Sequence, residues 1–239
     1  MFRSFIPLLL AAYAAPLSAA CTVQSGPTRA ALLELYTSEG CSSCPPADRW
    51  LGALPHDSQH LVPLALHVDY WDYIGWHDQF ANPLFSQRQR MLSGSGFVYT
   101  PQVVLNGQDY RNWRNGLDKA VAIINRSPPK ADIKLTLNAG ATGLDLAATS
   151  TTAEAGASLY LAVYENGLVS NVTAGENGGA TLHHDYVVRQ WLGPYQPGQP
   201  VQANLVLKPE WKKQNLGVAA FVQAHGGDVL QAVAGKICD

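Results

Sequence analysis

Apolar positions along the first half of the chain come in short blocks separated by amphipathic stretches. Ala30 to Tyr36 is mostly apolar and of strand length, Ala47 to Leu54 has helical spacing, and Leu61 to Tyr70 is a second strand. Phe80 to Leu92 is polar enough for an exposed helix, and Gln102 to Asn106 predicts a third strand. Asn106-Gly107 is a tight-turn signal from which Tyr110 to Trp113 pairs back as a fourth strand. Leu117, Ala120, Val121 and Ile124 then recur at helical spacing until Pro128-Pro129 stops the helix and marks a boundary. Alternating strands and helices predict an α/β segment.

Beyond Lys130 the period changes to two. Ile133, Leu135 and Leu137, then Leu144, Leu146 and Ala148, then Leu159, Leu161 and Val163 read as half-buried strands. Turns are signalled at Glu165-Asn166-Gly167, Glu176-Asn177-Gly178-Gly179 and His225-Gly226-Gly227-Asp228. Further strands are expected at Tyr186–Arg189, Gln202–Leu207, Val218–Gln223 and Val229–Ala234. About seven short strands predict an all-β sandwich of immunoglobulin-like type over residues 129–239.

Residues 1–20 do not belong to either segment. Arg3, an apolar stretch from Phe5 to Leu17 and the small residues Ser18-Ala19-Ala20 read as a cleaved export signal. Pro7 and Pro16 interrupt the stretch, which falls short of the roughly 20 clean apolar residues of a spanning helix. Export implies a periplasmic or secreted protein. With 47% apolar and 14% charged residues the remainder is a folded, lightly charged chain. Its 16 Lys+Arg against 18 Asp+Glu leave no basic surplus for a nucleic-acid backbone.

Four cysteines, Cys21, Cys41, Cys44 and Cys238, follow the signal, and an exported chain can keep them as disulfides. The economical pairing is Cys21 with Cys238 as a structural bridge and Cys41 with Cys44, one of three combinations that the sequence leaves open. Cys21 is alternatively the lipidated first residue of a lipoprotein, although the position three before it is Ser18 where bacterial lipoprotein signals usually carry Leu.

The segment Ser38-Glu39-Gly40-Cys41-Ser42-Ser43-Cys44-Pro45-Pro46 follows a strand and opens a helix. There, unpaired amides and the positive end of the helix dipole favour thiolate at Cys41. A thiol with pKa near 8.5 is about 3% ionised at pH 7 and one near 7 is about half ionised, a gain of roughly fifteenfold in nucleophile. Cys44, three residues on, is within reach to resolve a mixed disulfide. If Pro45 takes the first helical position, the dipole argument for Cys41 weakens and local amides must do more. A purely structural disulfide is the competing reading.

Val98 to Gly107, with Thr100-Pro101 inside it, resembles the proline-bearing strand of thioredoxin-like proteins. Leu33 to Asp48, His67-Val68-Asp69-Tyr70-Trp71-Asp72 and Tyr99-Thr100-Pro101-Gln102 together resemble a bacterial family of secreted thioredoxin-like proteins named only as a domain of unknown function, across most of the mature chain. The resemblance implies an α/β thioredoxin-like domain over residues 21–128 ahead of the sandwich. It implies a cis peptide bond at Thr100-Pro101 against the disulfide, with both residues offered to a substrate peptide. It implies a buried proton-transferring acid, for which Glu34 is the candidate. Glu34 lies seven residues before Cys41, one more than the usual offset, so a water-facing position at a strand edge is the alternative. The aromatic loop containing Trp71 and Trp76 would lie near Cys41 as a wall for the partner.

These readings make the chain an exported thiol–disulfide oxidoreductase that needs no cofactor, acting on protein or small-molecule thiols and disulfides with a redox partner protein. The rival is a periplasmic copper carrier using Cys41, Cys44 and His67 or His183; a binding module with a structural disulfide is the third. His183-His184-Asp185 supports a metal poorly, because adjacent strand residues point to opposite faces; surface positions are expected for both histidines. Asn171-Val172-Thr173 is a glycosylation sequon only in a eukaryotic secretory host.

Overall fold

The computed structural model describes residues 20–238 apart from 56, 95 and 141; the expected export signal, except Ala20, lies outside the described residues. After β1 (Cys21–Gln24) the chain runs through β2 (Ala31–Thr37), α1 (Pro45–Gly52), β3 (Leu61–His67), α2 (Pro83–Ser93), β4 (Gln102–Leu105), β5 (Gln108–Asp109) and α3 (Trp113–Asn125). β2 and β3 are parallel, in register from Ala31 opposite Leu61 to Thr37 opposite His67, and β4 returns antiparallel along β2. Every residue of β2 and β3 is buried, which is why they read as near-continuous apolar runs.

Local chemistry sets the helix starts. Pro45 opens α1, where its missing N–H costs nothing, and Cys44 occupies the cap position. α2 starts at Pro83, not Phe80, because the Asn82 side chain accepts from the Leu84 amide and ends the preceding loop. The expected strand Tyr110–Trp113 forms instead at Gln108–Asp109. Asn106 and Gly107, at φ 49° and 83°, make a two-residue turn, so pairing resumes with Gln108 opposite Leu105, and Trp113 opens α3. A side chain at Gly107 would also meet the Gly227 carbonyl oxygen at 1.9 Å.

The second half supplies β6 (Ala131–Ala139), β7 (Gly143–Thr152), β8 (Ser158–Glu165), β9 (Leu168–Asn171), β10 (Thr181–His184), β11 (Val187–Tyr195), β12 (Val201–Val206), β13 (Leu216–Gln223) and β14 (Val229–Lys236). One mixed sheet of eight strands has the order β14-β13-β8-β11-β3-β2-β4-β5, and a separate antiparallel sheet has the order β1-β6-β7-β12. β11 joins β3 in parallel at Val187 opposite Ala65, so strands from both sides of residues 128–129 share one sheet. β9 and β10 form a hairpin of their own.

Two cores follow from this layout. Leu159, Leu161, Val163, Val218, Ala220 and Val222 pack with Ile133, Leu135, Leu137, Leu144 and Leu146 of the four-stranded sheet. Their neighbours of opposite parity, Ala162, Tyr164, Ala219 and Phe221, face the core that holds β2 and β3. β13 is therefore buried along its whole length. The expected layering of β on β is present, but one of its layers is the end of the mixed sheet instead of a second self-contained sheet. Among the described residues no helix is long and apolar enough to cross a membrane.

Cys21 is joined to Cys238, with Cα atoms 5.8 Å apart, closing a loop of 217 positions. Replacing both with Ala is expected to lower unfolding free energy in denaturant by roughly 4 to 5 kcal/mol, the chain-entropy value for a long loop. An unchanged midpoint would show that the bridge adds nothing to stability.

Candidate functional site: a covered disulfide over a buried polar cluster

Cys41 and Cys44 are disulfide-bonded, with Cα atoms 5.4 Å apart. Two tight turns shape the segment: the Cys41 amide donates to the Ser38 carbonyl at 3.2 Å and the Cys44 amide to the Cys41 carbonyl at 3.1 Å. α1 begins only after Cys44, so Cys41 lies in the turn ahead of the helix, and its Sγ is 3.4 Å from the Ser43 hydroxyl. Ser42 and Ser43 are exposed, whereas Cys41 is 1% and Cys44 0% exposed.

Three segments close over this turn. Trp71 packs so closely on Gly40 that a Cβ there would sit 3.0 Å from its own, and its indole N–H donates to the Thr100 hydroxyl at 2.7 Å. The Thr100-Pro101 peptide bond is cis. Thr100, Pro101, Ser43, Tyr99, Trp113 and Arg114 line an open cleft of about 440 Å³ beside the turn. The third segment is the tip of the β9–β10 hairpin: the Glu176 carboxylate accepts from the Ser42 amide at 3.0 Å, and the Asn177 amide group donates to the carbonyls of Glu39 at 2.8 Å and Cys41 at 3.1 Å. Sequence reading took Glu176-Asn177-Gly178-Gly179 as a turn and nothing more. No spacing rule links it to a cysteine pair more than 130 residues earlier.

Behind the disulfide lies a cluster that the motifs did not announce. Glu39, Asp48, His67, Asp78 and His184, from the β2–α1 turn, α1, β3, the following loop and β10, are all buried. His67 Nδ1 is 2.7 Å from Asp78, whose carboxylate also accepts the Glu39 and Phe80 amides. Burial alone would depress the His67 imidazole, but the Asp78 carboxylate beside it raises its pKa on balance. Burial opposes charge on Asp78 as well; His67 and the two amides outweigh it and hold the carboxyl low. Asp48 is pushed up by burial, offset in part by His184 and His67. The Trp76 indole donates to Glu39 at 2.8 Å, and the other Glu39 oxygen is 3.3 Å from His184 Nε2.

Glu34 does not join this cluster. It is fully buried and paired with Arg88 of α2, at 2.6 and 3.0 Å, while Thr37, three residues on and hence on the opposite face of β2, lies beside Asp48 of α1. The sheet thus separates Glu34 from the cysteines, and its parity along the strand explains the extra residue in its spacing. Trp71 and Trp76 do come to the cysteine turn. His183 and His184 face opposite ways along β10: His183 is exposed, and His184 is buried, correcting the surface position expected for it. Among the described residues no group of three or more His, Cys, Asp and Glu is arranged to hold a metal ion.

Residues 32–223 match the family described as Protein of unknown function (DUF1223). The chain belongs to that family. The crystal structure of protein AGR_C_4864 from Agrobacterium tumefaciens is similar in fold, with TM-score 0.62 and 24% identity over 86% of this chain and 92% of that one. No curated protein matches.

Two outcomes follow from the geometry. Glu34→Gln is expected to destabilise the fold by about 3 kcal/mol or more, because it leaves the Arg88 charge buried without its partner. Thiol labelling of Cys41 after reduction should be unaffected, since the sheet lies between; a stable variant with altered labelling would contradict the placement. For the His67–Asp78 pair, Asp78 contributes fully above about pH 4 and His67 fully below about pH 6.5, the unfolded values. His67, with its raised folded pKa, loses its contribution as pH rises through that folded value; Asp78 loses its own as pH falls through its lowered one. Asp78→Asn should therefore flatten the His67-linked fall in unfolding free energy above pH 6.5, measured by denaturant titration across pH 4 to 9.

Proposed function

We infer that this protein is an exported thiol–disulfide exchange protein of thioredoxin-like type, with Cys41 as the sulfur that meets the partner and Cys44 as the resolving sulfur. The observation that carries the reading is a Cys-x-x-Cys disulfide in the turn leading into α1, next to a cis Thr-Pro loop that lines an open cleft. The β2-α1-β3-α2-β4-β5-α3 order supports the thioredoxin-like assignment, and the second half is sandwich-like around its own core. A cysteine pair held as disulfides suits the periplasm or the cell exterior, and Cys21 then serves as a disulfide partner and not as a lipid anchor.

In the exchange, a partner thiolate attacks Cys41 Sγ, a new S–S bond forms, and the Cys41–Cys44 bond breaks with its electron pair leaving on Cys44. The partner's second thiolate then attacks the partner sulfur of the mixed disulfide and releases Cys41. The partner dithiol is oxidised and the protein's disulfide reduced; the reverse sequence oxidises the protein's dithiol. Tyr99, Trp113 and Arg114 offer aromatic faces and a cation to the bound segment. With Cys41 1% exposed, a partner reaches its sulfur only when a covering side chain moves.

Cys44→Ser is expected to accumulate a mixed disulfide between Cys41 and a disulfide peptide, visible by mass spectrometry and reversed by dithiothreitol. Cys41→Ser should accumulate none and lose peptide-disulfide turnover by about a hundredfold or more, the scale of removing a nucleophile. Turnover by the Cys41→Ser, Cys44→Ser double variant equal to that of the unaltered protein would sink the exchange reading.

A further inference from the structure

The peptide unit between Cys41 and Ser42 is gripped at both of its polar groups by consecutive residues of the β9–β10 tip. Asn177 donates to its carbonyl oxygen at 3.1 Å and to the Glu39 carbonyl at 2.8 Å, while the Glu176 carboxylate accepts its N–H at 3.0 Å. In a trans peptide these two groups point opposite ways, so a bond to each stops the plane from turning about the flanking dihedrals. The same carbonyl also accepts the Cys44 amide at 3.1 Å within the turn. Cys41 is thus fixed at its own backbone from the far half of the chain, and the residue is 1% exposed.

The hairpin that does this is anchored unevenly. Toward its base Ser170, Val172, Leu182 and His184 are buried, and the Ser170 hydroxyl accepts from the Gln79 side chain at 2.9 Å. Pairing of the two arms ends at Val172, whose amide donates to the Ala180 carbonyl at 2.9 Å and whose carbonyl accepts the Gly179 amide at 2.8 Å. Beyond it none of residues 173–178 is buried. Besides the bonds from Glu176 and Asn177, the tip docks through Gly175, at φ 71°, where a Cβ would stand 3.1 Å from Ile74 Cδ1 and 3.3 Å from Trp76 Cβ. An element with so little buried apolar surface opens locally at small cost, and its buried base stays in place when it does.

We propose that the β9–β10 tip is a gate on the disulfide: docked, Glu176 and Asn177 hold Cys41 in its buried position, and lifted, they free the Cys41–Ser42 peptide unit so that the sulfur meets a partner. Neither residue lines the open cleft beside Thr100 and Pro101, so the gate acts on the sulfur and not on the cleft. The fraction of molecules with the tip lifted then multiplies the rate of any attack on Cys41. Glu176 and Asn177 act through Cys41 and are positioning residues. The gate carries a sign that a merely supporting contact does not, since weakening it speeds the chemistry.

The purpose of the gate rests on the exchange reading, but its motion is measured without a partner. Oxidised protein is mixed with dithiothreitol, quenched with acid at intervals, alkylated, and scored by mass spectrometry at each cysteine pair. One dithiothreitol thiolate attacks Cys41 Sγ and Cys44 leaves as a thiolate; the second dithiothreitol sulfur displaces Cys41 as the reagent closes to its cyclic disulfide. Asn177→Ala and Glu176→Ala are expected to speed reduction of Cys41–Cys44 about tenfold, the order of a net hydrogen-bond contribution. Glu176→Gln keeps an acceptor oxygen and should stay near the unaltered rate. Gly175→Ala wedges the tip away without removing a bond and should also speed reduction, whereas Val169→Ala, on the exposed face of β9, should not. The Cys21–Cys238 bridge of the same molecules is the internal reference, and its rate should not move. Unchanged or slower reduction of Cys41–Cys44 in Asn177→Ala, Glu176→Ala and Gly175→Ala would overturn the gate, as would equal acceleration of Cys21–Cys238, the mark of general loosening. Peptide-disulfide turnover, measured on the same variants, separates the two readings. Turnover that rises with the reduction rate supports both; faster reduction with no turnover in any form leaves the gate and overturns exchange. Turnover by the unaltered protein with no acceleration in the variants leaves exchange and overturns the gate. Should Asn177→Ala fail to fold by circular dichroism, Glu176→Ala and Gly175→Ala decide.

Discussion

The hydrogen bond from the Ala65 amide to the Tyr186 carbonyl, where β11 starts beside β3, is the joint on which the rest of the structure depends. It fixes the second half of the chain against the strand that leads to His67. The hairpin of β9 and β10 immediately precedes this joint in sequence, so its base is pinned near α1 and its tip reaches the cysteine turn. Tyr186 adopts a positive φ of 57° there, with its amide bonded to the Asn166 side chain at 2.9 Å. An uncommon backbone conformation for a bulky residue persists when neighbouring contacts determine it, and here those contacts couple the two halves.

Buried charge is handled in two ways on the two faces of β2. Glu34 and Arg88 form a bidentate pair, with Arg88 also donating to Gln223 and lying over the rings of Tyr160, Trp191 and Phe221. Every charge there has a partner, and the arrangement holds α2 to the sheet as a structural device. On the other face three carboxyls meet two imidazoles, and several of their atoms lack a hydrogen bond. Within it His67 and Asp78 each favour the other's charged form, while burial pushes the Asp48 carboxyl up. Perturbed, incompletely satisfied buried groups are where function concentrates.

The strands of the mixed sheet, the cysteine turn and the second layer of β structure were readable because each rests on a local rule: buried runs, period two, proline at a helix start. Asn106-Gly107 was readable as a turn but its partner strand was misplaced, since the two positive φ values shorten the loop to two residues. Trp71 and Trp76 could be assigned to the cysteine turn only through the thioredoxin-like resemblance, which places the loop after the second strand near Cys41. Glu34 could not be assigned correctly, because its face depends on strand parity relative to α1 and α2. His184, Glu176 and Asn177 were invisible as site residues: the first sits in an ordinary short strand, and the other two in a Gly-rich turn.

By itself the chain determined its pattern of elements, the Cys41–Cys44 spacing and the Thr-Pro loop, all consequences of covalent geometry and near-neighbour burial. Tertiary structure alone decided which face of the sheet Glu34 takes, that the cysteines are covered, and that residues after position 165 reach the cysteine turn. The physical reason is that these outcomes depend on which side of a sheet a side chain emerges and on strand pairings across more than a hundred residues. Such pairings are set by the joint burial of two cores and leave no mark on a local window of sequence.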